Sequence, residues 1–122
     1  MQITVRIIGN CTILELNGRL VLGTDLIDLR NAVRDAARDN PSKIILNLAR
    51  VTYVDSCGIG ELISTLTHLK NSGGNLVLTD LPKRVRTLLD TAKLIPVFEV
   101  SDSEQAALTN LKQQVPLHQL CN

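Results

Sequence analysis

The feature that most constrains the fold is an apolar run over residues 43–48, which reads KIILNL. Successive side chains of a strand point to opposite faces of the sheet, so a run of this kind is apolar on both faces. A strand with one solvated face would instead alternate apolar and polar residues. The run therefore predicts a central strand that other elements cover on both sides.

Two alternating segments precede this run. Residues 3–8 and 11–17 each alternate with a period of two, and Gly9-Asn10 separates them. This pattern predicts a tight antiparallel hairpin. Residues 18–23 are expected to connect it to a helix that Thr24 or Asp25 caps. The buried face of that helix is predicted to comprise Leu26, Leu29, Val33, Ala36 and Ala37.

After the central strand, helix and strand signals alternate to the end of the chain. Residues 40–42, reading NPS, break the first helix, and a second helix is expected from residue 55 or 56 to near Asn71. Strands are predicted at 76–78 and 96–100, and helices after Leu81-Pro82 and from 101–104 to Val115-Pro116. The order β-β-α-β-α-β-α-β-α indicates an α/β fold, with a mixed four- to five-stranded sheet and about four helices. We expect a single domain over residues 1–114 and a short C-terminal tail over 115–122.

Composition narrows the classes of function. The chain has 122 residues, which is the length of one ordinary domain. Aromatic residues make up only 2% of it, so its core must be aliphatic. A formal charge of +1 provides no net field for nucleic acid, and the scarcity of rings removes the usual base-stacking platform. We therefore expect no nucleic-acid partner.

The cysteines and the N-terminal sequence indicate a reducing compartment. Cys11, Cys57 and Cys121 are far apart and form no Cys-x-x-Cys pair, which favours neither a disulfide framework nor a zinc site. The N-terminus leads directly into an alternating strand pattern without a signal-peptide pattern, and no apolar run approaches the roughly 18 residues needed to span a bilayer. A cytoplasmic location without a membrane partner is expected.

The stretch over residues 53–62, reading YVDSCGIGEL, joins the central strand to the second helix. Asp55 and Ser56 fall where that helix begins, and both residue types can accept hydrogen bonds from first-turn amides. Gly58 and Gly60 each disfavour helix by about 1 kcal/mol relative to alanine. They either keep Ser56 sterically open or let another backbone come close. The pattern fits a capped helix with small first-turn residues as well as a functional site.

Ser56 lacks the neighbouring base and the sequence motifs that usually accompany a catalytic serine. His68 lies twelve residues along the predicted helix, about 18 Å away by helical rise, and His118 falls in the predicted tail. The nucleophile-elbow pattern requires glycine two residues before the serine, where this chain has Val54. Walker-type and dinucleotide-binding glycine patterns are absent from the sequence. We expect no catalytic residue, no cofactor and no bound metal.

A hydroxyl that is modified, rather than one that attacks, fits Ser56 better. A phosphate there would bring about −1.5 to −2 charges to a helix N-terminus, where free amides and the helix dipole accept them. A partner docked over the same place would meet new bulk and charge, and Asp55 would add like-charge repulsion. Such a site makes a good binding switch.

The whole chain resembles a STAS domain, and among STAS domains the bacterial anti-sigma-factor antagonists. The strongest part of the resemblance is the pattern Asp-Ser-x-Gly-hydrophobic-Gly over residues 55–60. Further matching features are Asn47-Leu48 after the central strand, Gly73-Gly74 before the next strand, and Val85, Leu88 and Leu89 in the third helix.

This resemblance implies a non-enzymatic role in partner switching. The unphosphorylated antagonist would bind an anti-sigma factor and release a sigma factor, and the anti-sigma factor would act as a serine kinase. Ser56 would be the phospho-acceptor, a phosphatase would restore it, and ATP would belong to the partner. The implied partner-binding residues are Asp55, Ser56, Cys57, Gly58, Ile59, Gly60 and Glu61.

Some features leave alternatives open. Cys57 stands where relatives often have a second small hydroxyl residue, and it is either a redox-sensitive thiol or a small residue packed at the helix start. Residues 21–23 are apolar where many relatives are polar or acidic, which puts the usual partner in question. Two groups of basic residues also have two interpretations, either as a surface that docks a partner or as an ordinary solvated face. The first group is Arg30, Arg34 and Arg38, and the second is Lys83, Arg84 and Arg86. Two other functions remain, a scaffold module of a sensory or transport assembly without phosphorylation, and an enzyme that uses Ser56 or Cys57.

Overall fold

The computed structural model of the chain describes residues 1–39 and 43–109. The strands are β1 (Gln2–Ile8), β2 (Cys11–Leu20), β3 (Lys43–Val54), β4 (Asn75–Thr79) and β5 (Glu99–Ser101). The helices are α1 (Thr24–Asp39), α2 (Ser56–Asn71) and α3 (Lys83–Thr91), and a fourth helical segment, α4, occupies residues 104–109. The predicted helix break at 40–42, the end of the last helix and the tail at 115–122 lie outside the described residues.

The five strands form one mixed sheet in the order β1-β2-β3-β4-β5. The β1–β2 pair is antiparallel, and the pairs β2–β3, β3–β4 and β4–β5 are parallel. This arrangement confirms the predicted α/β class and the mixed sheet. Because the parallel strands share a direction, their carboxyl ends meet at one edge of the sheet, where α2 and α3 begin.

The central position predicted for the apolar run is confirmed. On one face of the sheet, leucines and isoleucines of β2, β3 and β4 pack against α1, α2 and α3. On the other face a smaller cluster of Cys11, Ile13, Ile45 and Val77 lies beneath Ala107 of α4. Strand β3 is thus buried from both sides, which is why its sequence does not alternate.

A polar network holds α4 against this second face. Both carboxylate oxygens of Glu104 accept hydrogen bonds from the Arg6 guanidinium of β1, at 2.7 and 2.6 Å, and the Asn47 amide of β3 donates to the same carboxylate. Burial favours the neutral acid, but the bonds from Arg6 and Asn47 outweigh it and lower the pKa of Glu104. The start of α4 is therefore fixed to two strands.

The hairpin prediction is confirmed in register. Ile8 pairs with Cys11, which leaves Gly9 and Asn10 as a two-residue turn, and Gly9 has a φ of +59°. A type II′ turn places glycine at this first position because it needs a positive φ. Since β1 is an edge strand, however, two of its alternating apolar residues, Val5 and Ile7, are largely exposed.

Three predicted boundaries were wrong. Residues 18–20 belong to β2 and not to the connector, and β3 continues to Val54. The reason is parallel pairing of Gly18, Arg19 and Leu20 with Val51, Tyr53 and Val54, which extends both strands. The last strand is Glu99–Ser101 rather than 96–100, because the amides of Val97 and Phe98 turn back to the carbonyl of Leu94.

Candidate functional site

The site lies at the carboxyl edge of the sheet, where β2 and β3 end side by side. Leu20 is paired with Val54, so the residues that follow each strand emerge as neighbours. Asp55 is the N-cap of α2, and one of its oxygens, Oδ1, accepts a hydrogen bond of 2.7 Å from the Gly58 amide. This bond satisfies one of the orphan amides of the first turn, as the sequence predicted for an aspartate there.

Asp55 also ties the loop after β2 to the start of α2. Its second oxygen, Oδ2, accepts a hydrogen bond of 3.0 Å from the Leu22 amide, and its own amide donates to the Leu20 carbonyl at 3.2 Å. The bonds from the Leu22 and Gly58 amides lower the pKa of the Asp55 carboxyl group. The carboxylate therefore stays ionised at neutral pH, with both of its oxygens occupied by backbone donors of this chain.

The two glycines of the first turn have different environments. Gly58 is buried, and a Cβ built on it would lie 2.2 Å from the Leu20 carbonyl oxygen. Glycine is thus needed at Gly58 because another backbone comes close. At Gly60 a Cβ would meet nothing within 4 Å, so this position is open. The close-approach interpretation is therefore confirmed at Gly58, whereas Gly60 has room for a side chain.

Ser56 is an exposed residue at the first position of α2, and Cys57 beside it is also exposed. In the described part of the chain the Ser56 hydroxyl makes no side-chain hydrogen bond. The hydroxyl is therefore accessible to a modifying enzyme, while the backbone around it is held by Asp55 and Gly58. A phosphate at this position would lie at the positive end of the α2 dipole.

Glu61, another of the predicted partner-binding residues, is engaged inside the molecule. Its side chain is only 8% exposed, and Oε1 forms an ion pair of 2.7 Å with the Arg30 guanidinium of α1. The hydrogen bond from this guanidinium to Glu61 raises the pKa of Arg30. Glu61 thus joins α2 to α1, and Arg30 of the predicted basic strip has an intramolecular partner.

The structure divides the seven predicted partner-binding residues by exposure. Ser56, Cys57 and Gly60 are exposed, Asp55 and Ile59 are half-buried, and Gly58 and Glu61 are buried. One exposed residue bonded to Asp55 was not predicted as part of the site, because residues 18–23 were interpreted as a connector. Leu22 is 73% exposed although its amide is held by Asp55. The sequence feature that could have indicated this exposed residue is a leucine within a predicted loop.

Three further observations concern metal ligands, the histidine of α2 and helix length in the described residues. Within 1–39 and 43–109, no three potential metal-ligating side chains form a group. His68 is exposed on α2 itself, twelve residues after Ser56, so the helical rise separates them by about 18 Å. No helix in these ranges is long and apolar enough to cross a bilayer.

Comparison with known proteins identifies the family. Residues 2–107 match the STAS domain family. The anti-sigma F factor antagonist of Paenibacillus polymyxa is 30% identical over 69 residues, which cover 57% of this chain and 59% of the relative. The anti-sigma-B factor antagonist of Bacillus subtilis is 31% identical over 61 residues, or 50% of this chain and 56% of the relative. The chain thus spans somewhat more than half the length of these curated relatives.

Solved structures show the same fold. The unphosphorylated form of the anti-sigma factor antagonist SpoIIAA superposes with a TM-score of 0.70 at 18% identity, covering 91% of this chain and 98% of SpoIIAA. The phosphorylated form of SpoIIAA from Bacillus gives a TM-score of 0.69 at 19% identity, over 90% and 99% of the two chains. Because residues 2–107 match the family, the chain belongs to the STAS domain family.

Proposed function

We propose that this chain is an anti-sigma-factor antagonist that phosphorylation of Ser56 switches off. The observation that carries the proposal is the accessible Ser56 hydroxyl at the start of α2, directly after an aspartate cap. The names of the curated relatives support the class of partner, an anti-sigma factor. That one structural neighbour has been solved in a phosphorylated form supports the type of modification.

The local electrostatics explain how a phosphate would prevent binding. The new group brings about −1.5 to −2 charges next to Asp55, which is already ionised and cannot turn away because the amides of Leu22 and Gly58 hold it. Two like unit charges 4 Å apart repel by about 1 kcal/mol in bulk water and by about 4 kcal/mol at an effective dielectric constant of 20, so the repulsion rises when a partner excludes water from them. A partner that binds over Asp55 and Ser56 would have to remove water from both the carboxylate and the phosphate. Even after a several-fold discount for solvent, the affinity falls about tenfold or more.

The same phosphate is compatible with the fold. It lies at a helix N-terminus, where amides and the dipole favour negative charge by a few tenths of a kcal/mol to about 1 kcal/mol. Ser56 is exposed, so the group needs no space in the core. The modification would therefore change a surface without unfolding the domain, as a reversible switch requires.

The proposed partners come from the resemblance to anti-sigma-factor antagonists and from the names of the curated relatives. An anti-sigma factor with serine kinase activity would bind the unmodified chain and transfer phosphate from ATP to Ser56. A phosphatase would remove it and restore binding. The kinase would hold the nucleotide, and the cycle would operate in the cytoplasm, as the cysteine pattern of the sequence predicts.

The proposal is tested by calorimetric titration against every anti-sigma factor encoded by the genome that encodes this chain. The wild type and Ser56→Ala are expected to bind one of them, and Ser56→Asp is expected to bind it at least about tenfold more weakly. Ser64→Asp is the matched control, because Ser64 is an exposed serine farther along α2 and gains the same charge. It should bind as the wild type does.

Two results would contradict the proposal. Absence of binding by the wild type to every anti-sigma factor would exclude the antagonist function. Equal binding by Ser56→Ala and Ser56→Asp would exclude the switch and favour an interaction module that is not phosphorylated.

A further inference from the structure

We infer that Leu22 is the apolar anchor by which the anti-sigma factor grips this chain beside Ser56, and that Asp55 is a positioning residue that holds Leu22 in place. The inference rests on the proposed function, because it assigns a second contact to the same partner.

The first argument is position. Leu20 and Val54 are paired in parallel strands, so Leu22 and Ser56 each lie two residues beyond a paired residue. The Leu22 amide is 3.0 Å from Oδ2 of Asp55, the residue that precedes Ser56. A standard interface covers about 800 Å² of each partner, which is a disc of about 16 Å radius. A standard interface centred on Ser56 would therefore also cover Leu22.

The second argument is rigidity. A single exposed leucine is ordinary on a protein surface and would not by itself mark a contact. Leu22, however, follows a backbone that is fixed at two points, by the bond from the Asp55 amide to the Leu20 carbonyl and by the bond from the Leu22 amide to Asp55. Close packing of Gly58 against the Leu20 carbonyl holds the same place. Fixing an anchor before binding lowers the entropic cost of association.

The third argument is the chemistry of the side chain. Leu22 is the most exposed large apolar side chain in the described part of the chain, at 73%. An exposed leucine gains from being buried in an apolar pocket, and a few such anchors dominate the energy of most interfaces. The partner surface is therefore expected to carry an apolar pocket next to the place that receives the Ser56 hydroxyl.

The test is a titration of Leu22→Ala with the anti-sigma factor that binds the wild type. The dissociation constant is expected to rise at least about tenfold. Ile7→Ala is the matched control, because Ile7 is 68% exposed, loses the same number of carbon atoms and lies on β1 near the hairpin turn. Leu22→Met should restore most of the affinity, because methionine fills a similar volume.

The role of Asp55 is tested by a double-mutant cycle with Asp55→Asn. Asparagine caps helices as well as aspartate, but the amides of Gly58 and Leu22 bond to different oxygens of Asp55, and asparagine has an oxygen at only one of these two positions. If the asparagine oxygen keeps the bond from the Gly58 amide, the asparagine NH₂ group faces the Leu22 amide. Because both of these groups are donors, no hydrogen bond forms, and the loop at Leu22 is no longer held. Asp55→Asn should weaken partner binding about as much as Leu22→Ala does, while the free energy of unfolding falls by only about 1 kcal/mol, the cost of one lost hydrogen bond. Added to Leu22→Ala, it should have little further effect, because Asp55 acts through Leu22.

Each outcome bears on a different part of the inference. If Leu22→Ala binds as tightly as the wild type while Ser56→Asp still loses the partner, the anchor is refuted and the proposed function stands. Equal losses for Leu22→Ala and Ile7→Ala would also refute the anchor. Additive losses in the cycle would mean that Asp55 contacts the partner directly and would refute its positioning role. If the wild type binds no anti-sigma factor, both the proposed function and this inference fail.

Discussion

Replacing Gly58 with alanine should destabilise the domain, although alanine is the better helix former. The added Cβ would lie 2.2 Å from the Leu20 carbonyl oxygen and 2.9 Å from Cγ1 of Val54. To reach even 3.0 Å, the carbonyl has to retreat by about 0.8 Å. The same carbonyl accepts the hydrogen bond from the Asp55 amide, so that bond is stretched as well.

The magnitude follows from three contributions. Overpacking of a tight site costs about 1–3 kcal/mol, and weakening one backbone hydrogen bond costs about 1 kcal/mol. Replacing glycine with alanine inside a helix returns about 1 kcal/mol. The net loss for Gly58→Ala is therefore about 2 kcal/mol in the free energy of unfolding. In a domain of this size that corresponds to a melting temperature about 8 °C lower.

The assay is urea unfolding followed by circular dichroism, with Gly60→Ala as the matched control. A Cβ at Gly60 meets nothing within 4 Å, so alanine there should stabilise the domain by up to about 1 kcal/mol. The two substitutions add the same methyl group two residues apart and are expected to have opposite signs. Equal stabilisation by both would refute the close approach of β2 to α2.

Three further predictions concern charges. The pKa of Glu104 is lower in the folded protein than in the unfolded chain. The ionised carboxylate therefore stabilises the fold fully above the ordinary glutamate pKa of about 4.3, and this stabilisation is lost as the pH falls through the pKa of the folded state. Glu104→Gln should therefore lower the free energy of unfolding by about 1 kcal/mol at pH 7, and this difference should shrink as the pH is lowered towards 3 in urea titrations. Arg30→Ala leaves the buried Glu61 carboxylate without its ion pair, so it should lower the urea midpoint more than Arg34→Ala, which should stay within about 0.5 kcal/mol of the wild type. Ser56→Asp should keep its thermal stability to within about 0.5 kcal/mol, since an acidic residue suits a helix N-terminus; a large loss in calorimetry would show that the charge disturbs the fold.

Features that depend on local patterns could be predicted from the sequence. The unbroken apolar run over 43–48 indicated a strand buried on both faces, and the Gly-Asn pair indicated the hairpin. The aspartate and serine before an apolar helical stripe indicated where α2 begins. Each of these signals comes from residues within one or two turns of the position concerned, and local propensity and burial agree there.

Features that depend on distant residues could not be predicted. The extension of β2 through residues 18–20 arises from parallel pairing with residues 51–54, and the local sequence Gly18-Arg19-Leu20 does not distinguish a strand from a connector. Glu61 looked like a surface residue until Arg30, 31 positions earlier, proved to be its partner. The second bond of Asp55 goes to Leu22, 33 positions away. No periodicity in the sequence records such contacts.

The most direct test of the central claim is phosphate transfer to Ser56. The purified chain is incubated with ATP and the anti-sigma factor that binds it, the phosphate is located by mass spectrometry, and the modified chain is titrated against the same anti-sigma factor. The account predicts one phosphate, on Ser56, and a dissociation constant at least about tenfold higher than that of the unmodified chain. Phosphate on another residue, or a phosphorylated Ser56 that binds as tightly as before, would contradict it.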